Sequence, residues 1–540
     1  MRQSTRSTKK HLEINLLLIC VSVFFFAETA ATQVTADSQT EQLNITLDAL
    51  FKKQEAVSWG IYVYSLDKNE KIYALHSNKL FDPASTIKIA TLAVAAEKLG
   101  WDFRYETTLS GQKNVEQKIL LGDLVVKGTG DPTISKSENS TNDTFSKWAR
   151  ELSNKGIKKI DGNIVGDDQL FSDDIWSGWG PGWAWDDFGF GFAAPTDALQ
   201  YNENVTPLII TPGTSIGEPA ITELDPLSGL NLINQLETGH RDSEVSFTLR
   251  RLPGPSNLIL RGSIPLGFPP IIRNIAVENS TLFFVTSLRS SLIKNGVNVI
   301  GKALEIGNLS ERKPAKHHTS TNILIRHHSK KLSHFAVKMM KDSSNLYAES
   351  LMRSIGYSSS ARKVSSGVDI ITDTLISWGL NKNKFLIADG SGLSPLNLAS
   401  AEMLVAVLKH MHSDVSHRNH FTPLLPVAGI DGTLRTRLRG SSATNNAIAK
   451  TGSKRNVSAL AGYVNTQEGE RLASQFWQIT SQQLIAPSTK LSIPQLFSFP
   501  TSAEDRVNFP SIFEPPRPQT ATITTPTWLA TITRVIAAVC

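Results

Sequence analysis

Three short segments, far apart in the chain, contain residue types that together could carry out acyl transfer. In chain order they are Ser85-Thr86-Ile87-Lys88, Ser343-Ser344-Asn345 and Lys450-Thr451-Gly452-Ser453. A serine hydroxyl is a poor nucleophile at neutral pH, so it needs a nearby base and donors for the negative oxygen that develops during attack. The spacing of Ser85 and Lys88 places both side chains on one side of a helix. The first segment therefore contains a candidate nucleophile and a candidate base.

The other two segments could complete such a site. Lys88 becomes a competent base if burial beside other cations lowers its pKa, and Lys450 is such a cation. Gly452 leaves room for a substrate backbone along a strand edge. Ser343 would relay a proton between Lys88 and the leaving amine, while the Asn345 amide would hold the substrate carbonyl. These residue types predict acyl transfer on a peptide with a free terminal carboxylate.

Each segment also has an ordinary structural explanation. Ser85 could only cap a helix N-terminus. Ser343-Ser344-Asn345 could form a turn between two helices, and Lys450-Thr451-Gly452 could be the end of a strand. For any one segment alone the structural explanation is favoured, but the presence of all three in this order favours catalysis.

The flanking sequence predicts the elements that position these segments. Residues 59–64 and 72–75 have the composition of a hairpin. A buried helix is predicted over 85–99, because small and branched apolar residues follow Ser85 and a glycine ends the run. Apolar residues recur with the helical period over 332–340, and a second helix is predicted over 346–355. The middle segment would then lie between two helices.

The rest of the chain divides into regions of different composition. Between 105 and 316, short alternating strands and turns predict an inserted, mostly β region. Within it, residues 178–192 are rich in Trp and Phe, which predicts packing of one domain against another. After about residue 473 the composition changes, with Pro, Ser and Thr prominent over 500–527. We therefore expect a divergent, disordered tail over 474–540.

Composition and charge exclude several classes of protein. The chain has 540 residues, with 40% hydrophobic and 19% charged, which is ordinary for a globular protein of two or three domains. Its net charge of +6 is spread along the chain, so no nucleic-acid partner is predicted. Basic residues, an apolar run over 16–26 and then small residues predict a signal peptide over 1–31, cleaved at 31 or 36. The run is too short for a transmembrane anchor.

No metal or organic cofactor is predicted. Two histidine pairs, at 317 and 318 and at 327 and 328, lack further ligands at metal-site spacing, so we expect them in a solvated linker. No phosphate-binding glycine loop follows a predicted strand.

The three segments resemble the Ser-x-x-Lys, Ser-Asp-Asn and Lys-Thr-Gly signature of penicillin-binding proteins and class A β-lactamases, with Ser344 in place of Asp. Their wide separation resembles the class C low-molecular-mass penicillin-binding proteins. These are D-alanyl-D-alanine carboxypeptidase/endopeptidases of the penicillin-binding protein 4 type. Four further segments are similar to that family, namely residues 127–132, 345–349, 389–394 and 425–434.

The resemblance implies an α+β fold with α/β/α layers. A serine β-lactamase/transpeptidase-like catalytic domain would comprise 37–104 and 317–473. Mostly β accessory domains, residues 105–316, would be inserted after the nucleophile helix.

The resemblance also implies roles for individual residues. The catalytic residues would be Ser85 as acylated nucleophile, Lys88 as base, Ser343 and Asn345 as relay and carbonyl holder, and Lys450 on the carboxylate side. The substrate-binding residues would be Thr451, Gly452, Ser453 and Asp167. The backbone N–H groups of Ser85 and Ser453 would form the oxyanion hole, and Asp167 would lie near the diamino side chain of the stem peptide.

The function implied is that of a serine-type D-Ala-D-Ala carboxypeptidase, and endopeptidase, acting on peptidoglycan stem peptides and cross-links. β-Lactam antibiotics would be covalent inhibitors, and the location would be the periplasm or cell-wall space. A β-lactamase is an alternative, against which the chain has no Glu-x-x-Leu-Asn segment for fast deacylation. A second alternative is a non-catalytic or weakly active penicillin-binding protein with an altered C-terminus, because residues 474–478, Ser-Gln-Phe-Trp-Gln, stand where the family has an apolar strand.

Overall fold

The structure is a computed structural model that describes residues 41, 44–52, 57–114, 118–136, 143–174, 178–252, 257–309 and 322–480. The predicted signal peptide and the predicted tail beyond 480 lie outside these ranges. Among the described residues, no helix has the length and apolar character needed to cross a bilayer.

Strands and helices alternate along the chain in several blocks. The strands are β1 (Val57–Ser65), β2 (Glu70–Leu75), β3 (Glu106–Asn114), β4 (Ile119–Gly128), β5 (Lys159–Ile160), β6 (Ile164–Asp167), β7 (Val205–Thr211), β8 (Ile221–Leu224), β9 (Asn231–Gly239), β10 (Ser246–Arg251), β11 (Asn257–Pro265), β12 (Ile271–Ala276), β13 (Asn298–Val299), β14 (Ala303–Glu305), β15 (Asn322–His328), β16 (Phe385–Leu386), β17 (Leu398–Ala399), β18 (Ile448–Lys454), β19 (Val457–Asn465) and β20 (Arg471–Thr480). The helices are α1 (Lys88–Leu99), α2 (Thr144–Asn154), α3 (Ser280–Lys294), α4 (Leu332–Lys341), α5 (Asn345–Ser358), α6 (Gly367–Ser377), α7 (Ala401–Ser413) and α8 (Val415–Phe421).

A five-stranded antiparallel sheet of order β18-β19-β20-β1-β2 forms the centre of the catalytic domain. On one face it packs against a core that includes α1, α4, α5, α6 and α7. On the other face, a core formed with the helical residues 44–51 and the segment 425–447 includes Ile61 and Val63. Side chains alternate between the two faces because successive residues of a strand point in opposite directions. The predicted α/β/α fold is confirmed.

Strand β20 corrects the prediction for the C-terminal part of the catalytic domain. Residues 474–480 were expected to belong to a disordered tail, yet they pair with β1 on one side and β19 on the other. Phe476 is buried in one core and Trp477 in the other, which is the alternation of a central strand. The prediction was wrong because a strand between two partners is stabilised by backbone hydrogen bonds on both sides as well as by its apolar side chains.

The inserted region contains three sheets and two of the helices. Its largest sheet has the order β13-β5-β4-β3-β15, with β6 also pairing with β4 and β14 with β6. Helices α2 and α3 cover this sheet with a separate apolar core. Two three-stranded sheets, β10-β11-β9 and β12-β7-β8, share another core. The region is therefore mostly β, with a helical layer that the sequence did not predict.

Strand β15 moves one predicted boundary. The catalytic domain was expected to resume at 317, but β15 pairs antiparallel with β3 in the inserted sheet. His327 and His328 therefore lie in a strand, and the linker prediction is wrong for them; His317 and His318 lie outside the described residues. The chain returns to the catalytic core at α4.

Candidate active site

Ser85 lies in a short 3-10 turn, Ala84–Ile87, that leads directly into α1. The helix was predicted to begin at Ser85 and does so through this tighter turn. Ala84 has a left-handed φ of 44°, a conformation that costs a non-glycine residue about 1 kcal/mol or more. Asp82 Oδ1 accepts the N–H of Ala84 at 2.9 Å and so stabilises the turn. No side-chain capping bond is made at the N-terminus of this turn or of α1, so the explanation of Ser85 as a helix cap is wrong.

Lys88 contacts the hydroxyl of Ser85 and two further oxygen atoms. Its Nζ lies 2.9 Å from Ser85 Oγ, 2.6 Å from Asn345 Oδ1 and 2.5 Å from the backbone oxygen of Ser391. A neutral lysine has two N–H groups and one lone pair. If Asn345 and Ser391 accept the two N–H groups, the lone pair faces the Ser85 hydroxyl. This is the geometry that a general base requires.

The electrostatics of Lys88 favour this role. Complete burial lowers its pKa to about 7, because the charged form loses its hydration, and Lys454 also opposes the positive charge. Asp389 and Glu349 act in the opposite direction. The predicted lowering is therefore present, but burial causes it more than neighbouring cations do.

Ser343 and Lys450 form a second contact in the site. Ser343 connects α4 to α5 and has a left-handed φ of 61°, as a turn between two helices requires here. Lys450 Nζ donates to Ser343 Oγ at 2.8 Å and to the backbone oxygen of Thr451 at 2.7 Å. Burial and the nearby charge of Lys88 hold the pKa of Lys450 well below its usual value. The described hydrogen bonds thus join Ser343 to Lys450, and none joins it to Lys88.

At Gly452 the edge of β18 lies against the turn that carries Ser85. A Cβ on this glycine would lie 2.9 Å from the oxygen of Pro83 and 3.1 Å from the backbone nitrogen of Ser85. Glycine is therefore needed for the strand to approach the turn, as well as for the predicted approach of substrate. Thr451, next to it, donates to Thr433 Oγ1 at 2.7 Å.

The outer edge of β18 also carries backbone donors. Ala449 donates its N–H to the oxygen of Pro426, on the side away from β19. Alternate residues of a strand direct their N–H groups to the same edge, so those of Thr451 and Ser453 point the same way. The geometry is compatible with an oxyanion hole formed by Ser85 and Ser453.

Two buried carboxylates behind Lys88 were not predicted as site residues. Glu349 Oε1 accepts the N–H of Ser391 at 2.8 Å, and Asp389 Oδ1 accepts the N–H of Gly392 at 2.7 Å. Both side chains hold the turn that presents the Ser391 oxygen to Lys88. Their segments were recognised as similar to the family but without a role, and that similarity was the signal that could have identified them.

The aromatic segment of the inserted region, which was expected to pack one domain against another, also reaches the candidate site. Trp183 Nε1 donates to Asp389 Oδ2 at 2.8 Å, and the backbone oxygen of Phe192 accepts from Asn345 Nδ2 at 2.8 Å. Asn345 is thus held by the inserted region and by Lys88, whereas it was expected to hold the substrate carbonyl. The inserted region completes the wall of the site.

Asp167 is not brought to these residues by any described contact. It lies at the end of β6, where Oδ2 is 3.5 Å from Lys127 Nζ and Oδ1 accepts the N–H of Gln169. Its acidic side chain is largely buried and engaged in the inserted sheet.

The described ranges contain no group of three or more His, Cys, Asp or Glu side chains arranged to hold a metal ion. The arrangement at Ser85 consists instead of a hydroxyl, a lysine of lowered pKa and backbone donors. These groups can activate a serine and stabilise a tetrahedral oxyanion.

Comparison with known proteins relates the whole described region to one family. The model of the D-Ala-D-Ala carboxypeptidase 3 (S13) family matches residues 43–490. The D-alanyl-D-alanine carboxypeptidase of Actinomadura sp. (strain R39) is 30% identical over 446 residues, 79% of this chain and 79% of that protein. A crystal structure of penicillin binding protein 4 (dacB) from Haemophilus influenzae is 26% identical with a TM-score of 0.70, covering 82% of this chain and 94% of that one. The same protein complexed with a β-lactam is similar over the same shares, with 24% identity and a TM-score of 0.65.

Proposed function

The chain belongs to the D-Ala-D-Ala carboxypeptidase (S13) family, and on that premise we propose that Ser85 is the residue acylated during catalysis and Lys88 its base. The protein is a serine-type D-alanyl-D-alanine carboxypeptidase of the penicillin-binding protein 4 type. The observation that carries the residue assignment is the 2.9 Å contact between Lys88 Nζ and Ser85 Oγ, made by a buried lysine whose pKa is lowered to about 7.

Acylation follows from this geometry. Neutral Lys88 takes the proton of Ser85 as Oγ forms a bond to the penultimate D-alanine carbonyl carbon. The oxygen of that carbonyl becomes negative and is stabilised by the N–H groups of Ser85 and Ser453. The C–N bond then breaks, and D-alanine leaves with the proton that Lys88 took from Ser85. The relay expected of Ser343 would require its hydroxyl, which here accepts from Lys450 Nζ, to come within reach of Lys88 when substrate is bound. Water reverses these steps on the ester, releasing the shortened peptide and free Ser85.

The strand side of the site would bind the terminal carboxylate. Lys450 and Thr451 lie on β18, and Lys450 has no carboxylate partner among the described residues. A peptide carboxylate would restore the charge that burial disfavours in this lysine. A peptide amine in place of D-alanine as the leaving group gives endopeptidase action by the same steps.

β-Lactams are proposed as covalent inhibitors of Ser85, because penicillin binding protein 4 of H. influenzae forms a complex with one. The pairing of β20 on both sides supports an intact site over a weakly active one.

We also propose export to the periplasm or cell-wall space, where peptidoglycan lies, through the predicted signal peptide. N-terminal sequencing of the exported protein should find a start after residue 31 or 36, and an uncleaved cytoplasmic chain would contradict export.

The decisive experiment compares the purified chain with Ser85→Ala. Fluorescent penicillin labelling and D-alanine release from a stem-peptide mimic should both be lost in the variant, and thermal unfolding should show that it is folded. Labelling without release in the unsubstituted chain would indicate a binding protein defective in deacylation. Labelling that persists in Ser85→Ala would exclude Ser85 as the nucleophile.

A further inference from the structure

A chain of buried contacts runs from the base to the inserted region through Glu349. Lys88 Nζ donates to the oxygen of Ser391 at 2.5 Å, and the N–H of Ser391 donates to Glu349 Oε1 at 2.8 Å. Glu349 Oε2 is 3.1 Å from a guanidinium nitrogen of Arg353. Arg353 in turn donates through Nε and a terminal nitrogen to Asp174 Oδ2, at 2.9 and 2.6 Å.

Each member of this chain is removed from water. Lys88 and Glu349 are fully buried, and the Arg353 side chain is 5% exposed. A buried ion is expensive unless it is paired and hydrogen-bonded, so none of these side chains can change partners cheaply. The two oxygen atoms of Glu349 are therefore committed, one to the Ser391 backbone and one to Arg353.

On the basis of the proposed role of Lys88, we propose that Glu349 is a positioning residue for the base. By holding the N–H of Ser391, its carboxylate orients the oxygen of the same residue toward Lys88 Nζ and places a negative charge behind the lysine. Glu349 touches neither Ser85 nor the expected position of the substrate, so it acts through Ser391 and through its field.

The charged groups around Lys88 and Glu349 come from four parts of the structure. Arg353 lies one turn further along α5, and Asp174 approaches from the inserted region. Asp389 belongs to the turn that carries Ser391, while Lys450 and Lys454 are on β18. Burial and Asp389 raise the pKa of Glu349 to about 7, although Arg353 opposes this. Lys88 and Glu349 thus titrate in the same range, and the pH dependence belongs to the pair.

The test is the pH dependence of acylation by fluorescent penicillin in the full chain, between about pH 5 and about pH 9. Glu349→Gln keeps an acceptor for the Ser391 N–H but removes the charge that favours protonated Lys88. In a plot of acylation rate against pH, the ascending limb, where the rate rises as Lys88 loses its proton, should therefore move to lower pH by about half a unit or more. Glu349→Asp keeps the charge but shortens the reach to Ser391, so the plateau rate should fall by about tenfold with little movement of the limb.

Asp197→Asn is the matched control. Asp197 is a buried carboxylate of the inserted region, and burial with nearby Asp168 raises its pKa to about 7. Its described partners are the N–H of Ala198 and the hydroxyl of Thr281. This variant should leave the limb in place. If Glu349→Gln does not fold, the double variant Glu349→Gln/Arg353→Gln removes both charges of the pair. Because Arg353 is further from Lys88 along the chain of contacts and opposes Glu349, this variant should show a smaller shift in the same direction.

The outcomes separate this inference from the proposed function. An unmoved limb in Glu349→Gln, or an equal shift in Asp197→Asn, would overturn the positioning role while leaving Ser85 and Lys88 in place. Labelling that persists in Ser85→Ala would overturn both the proposed function of Ser85 and the positioning role of Glu349. The expected result, at full labelling stoichiometry, is a shift of the limb in Glu349→Gln that neither Glu349→Asp nor Asp197→Asn shows.

Discussion

Buried charges occur in both the catalytic domain and the inserted region, but they are connected differently. In the catalytic domain, Lys88 and Glu349 belong to one network that reaches Ser85. In the inserted region, Asp131 and Asp197 contact partners of that region, Thr133 and His327 for the first and Ala198 and Thr281 for the second. Burial raises the pKa of Asp131 to about 6 and that of Asp197 to about 7. A shifted pKa therefore indicates burial, whereas connection to Ser85 distinguishes the candidate site.

The largest effect should come from removing the base. Lys88→Gln should lower the rate of acylation by fluorescent penicillin by about 10²- to 10⁴-fold, the usual contribution of general base catalysis. Asp197→Asn should leave this rate within about twofold of the unsubstituted chain. Stopped-flow labelling of the two variants and the parent measures the difference, and equal losses in both would remove the distinction between the regions.

The strand side of the site should show a loss that depends on the ligand. Lys450→Gln removes the cation proposed to bind the terminal carboxylate, so kcat/KM for a D-Ala-D-Ala peptide should fall by about 10²-fold. The same peptide with a C-terminal amide should lose little, because it has no carboxylate to bind. A steady-state comparison of the two peptides is the measurement. If kcat/KM fell equally for the two peptides, Lys450 would act in proton transfer or in folding and not in binding the carboxylate.

The pH profile should separate the base from the other buried groups. In the proposed mechanism Lys88 acts in its neutral form, and burial lowers its pKa to about 7. Acylation should therefore be slow below this pH and rise as pH passes through it, about tenfold per unit on the acid side. A rate that falls over this range would mean that Lys88 works as the charged form.

The sequence predicts those parts of the candidate site that depend on contacts between residues close together in the chain. It does not predict the parts that depend on contacts between distant residues. Ser85 and Lys88 are three residues apart, so helix geometry sufficed for them. The roles of Glu349 and Trp183 depend on contacts with Ser391 and Asp389, far away in the chain, and no local pattern encodes them.

Strand β20 shows where composition misleads. Its polar residues resembled the start of a disordered tail, yet β1 and β19 supply partners on both sides. Gln475 remains buried there, and its Oε1 has no hydrogen-bond partner within the described part of the chain. Pairing between strands, which depends on tertiary structure, decided the outcome over local composition.

The smallest effect should be on stability in the inserted region. The folded-state pKa of Asp197 is raised to about 7, above its unfolded value of about 4. Its contribution to stability is therefore full below about pH 4 and is lost as pH rises through about 7. Asp197→Asn does not titrate, so its Tm relative to the parent should increase over this range, by roughly 2 °C. Thermal unfolding at several pH values tests this, and a constant difference would contradict the raised pKa.

The position of β20 between β1 and β19 has a consequence for the order of events during synthesis. The inserted region can complete its own sheets while the ribosome is still making the chain. The central sheet cannot be completed until residues 471–480 have been synthesised. Its strand β1 pairs with β20, which lies some four hundred residues later in the chain. A nascent chain would therefore carry an ordered accessory region long before it could be acylated, and antibiotic would have no target in it until the last strand is added.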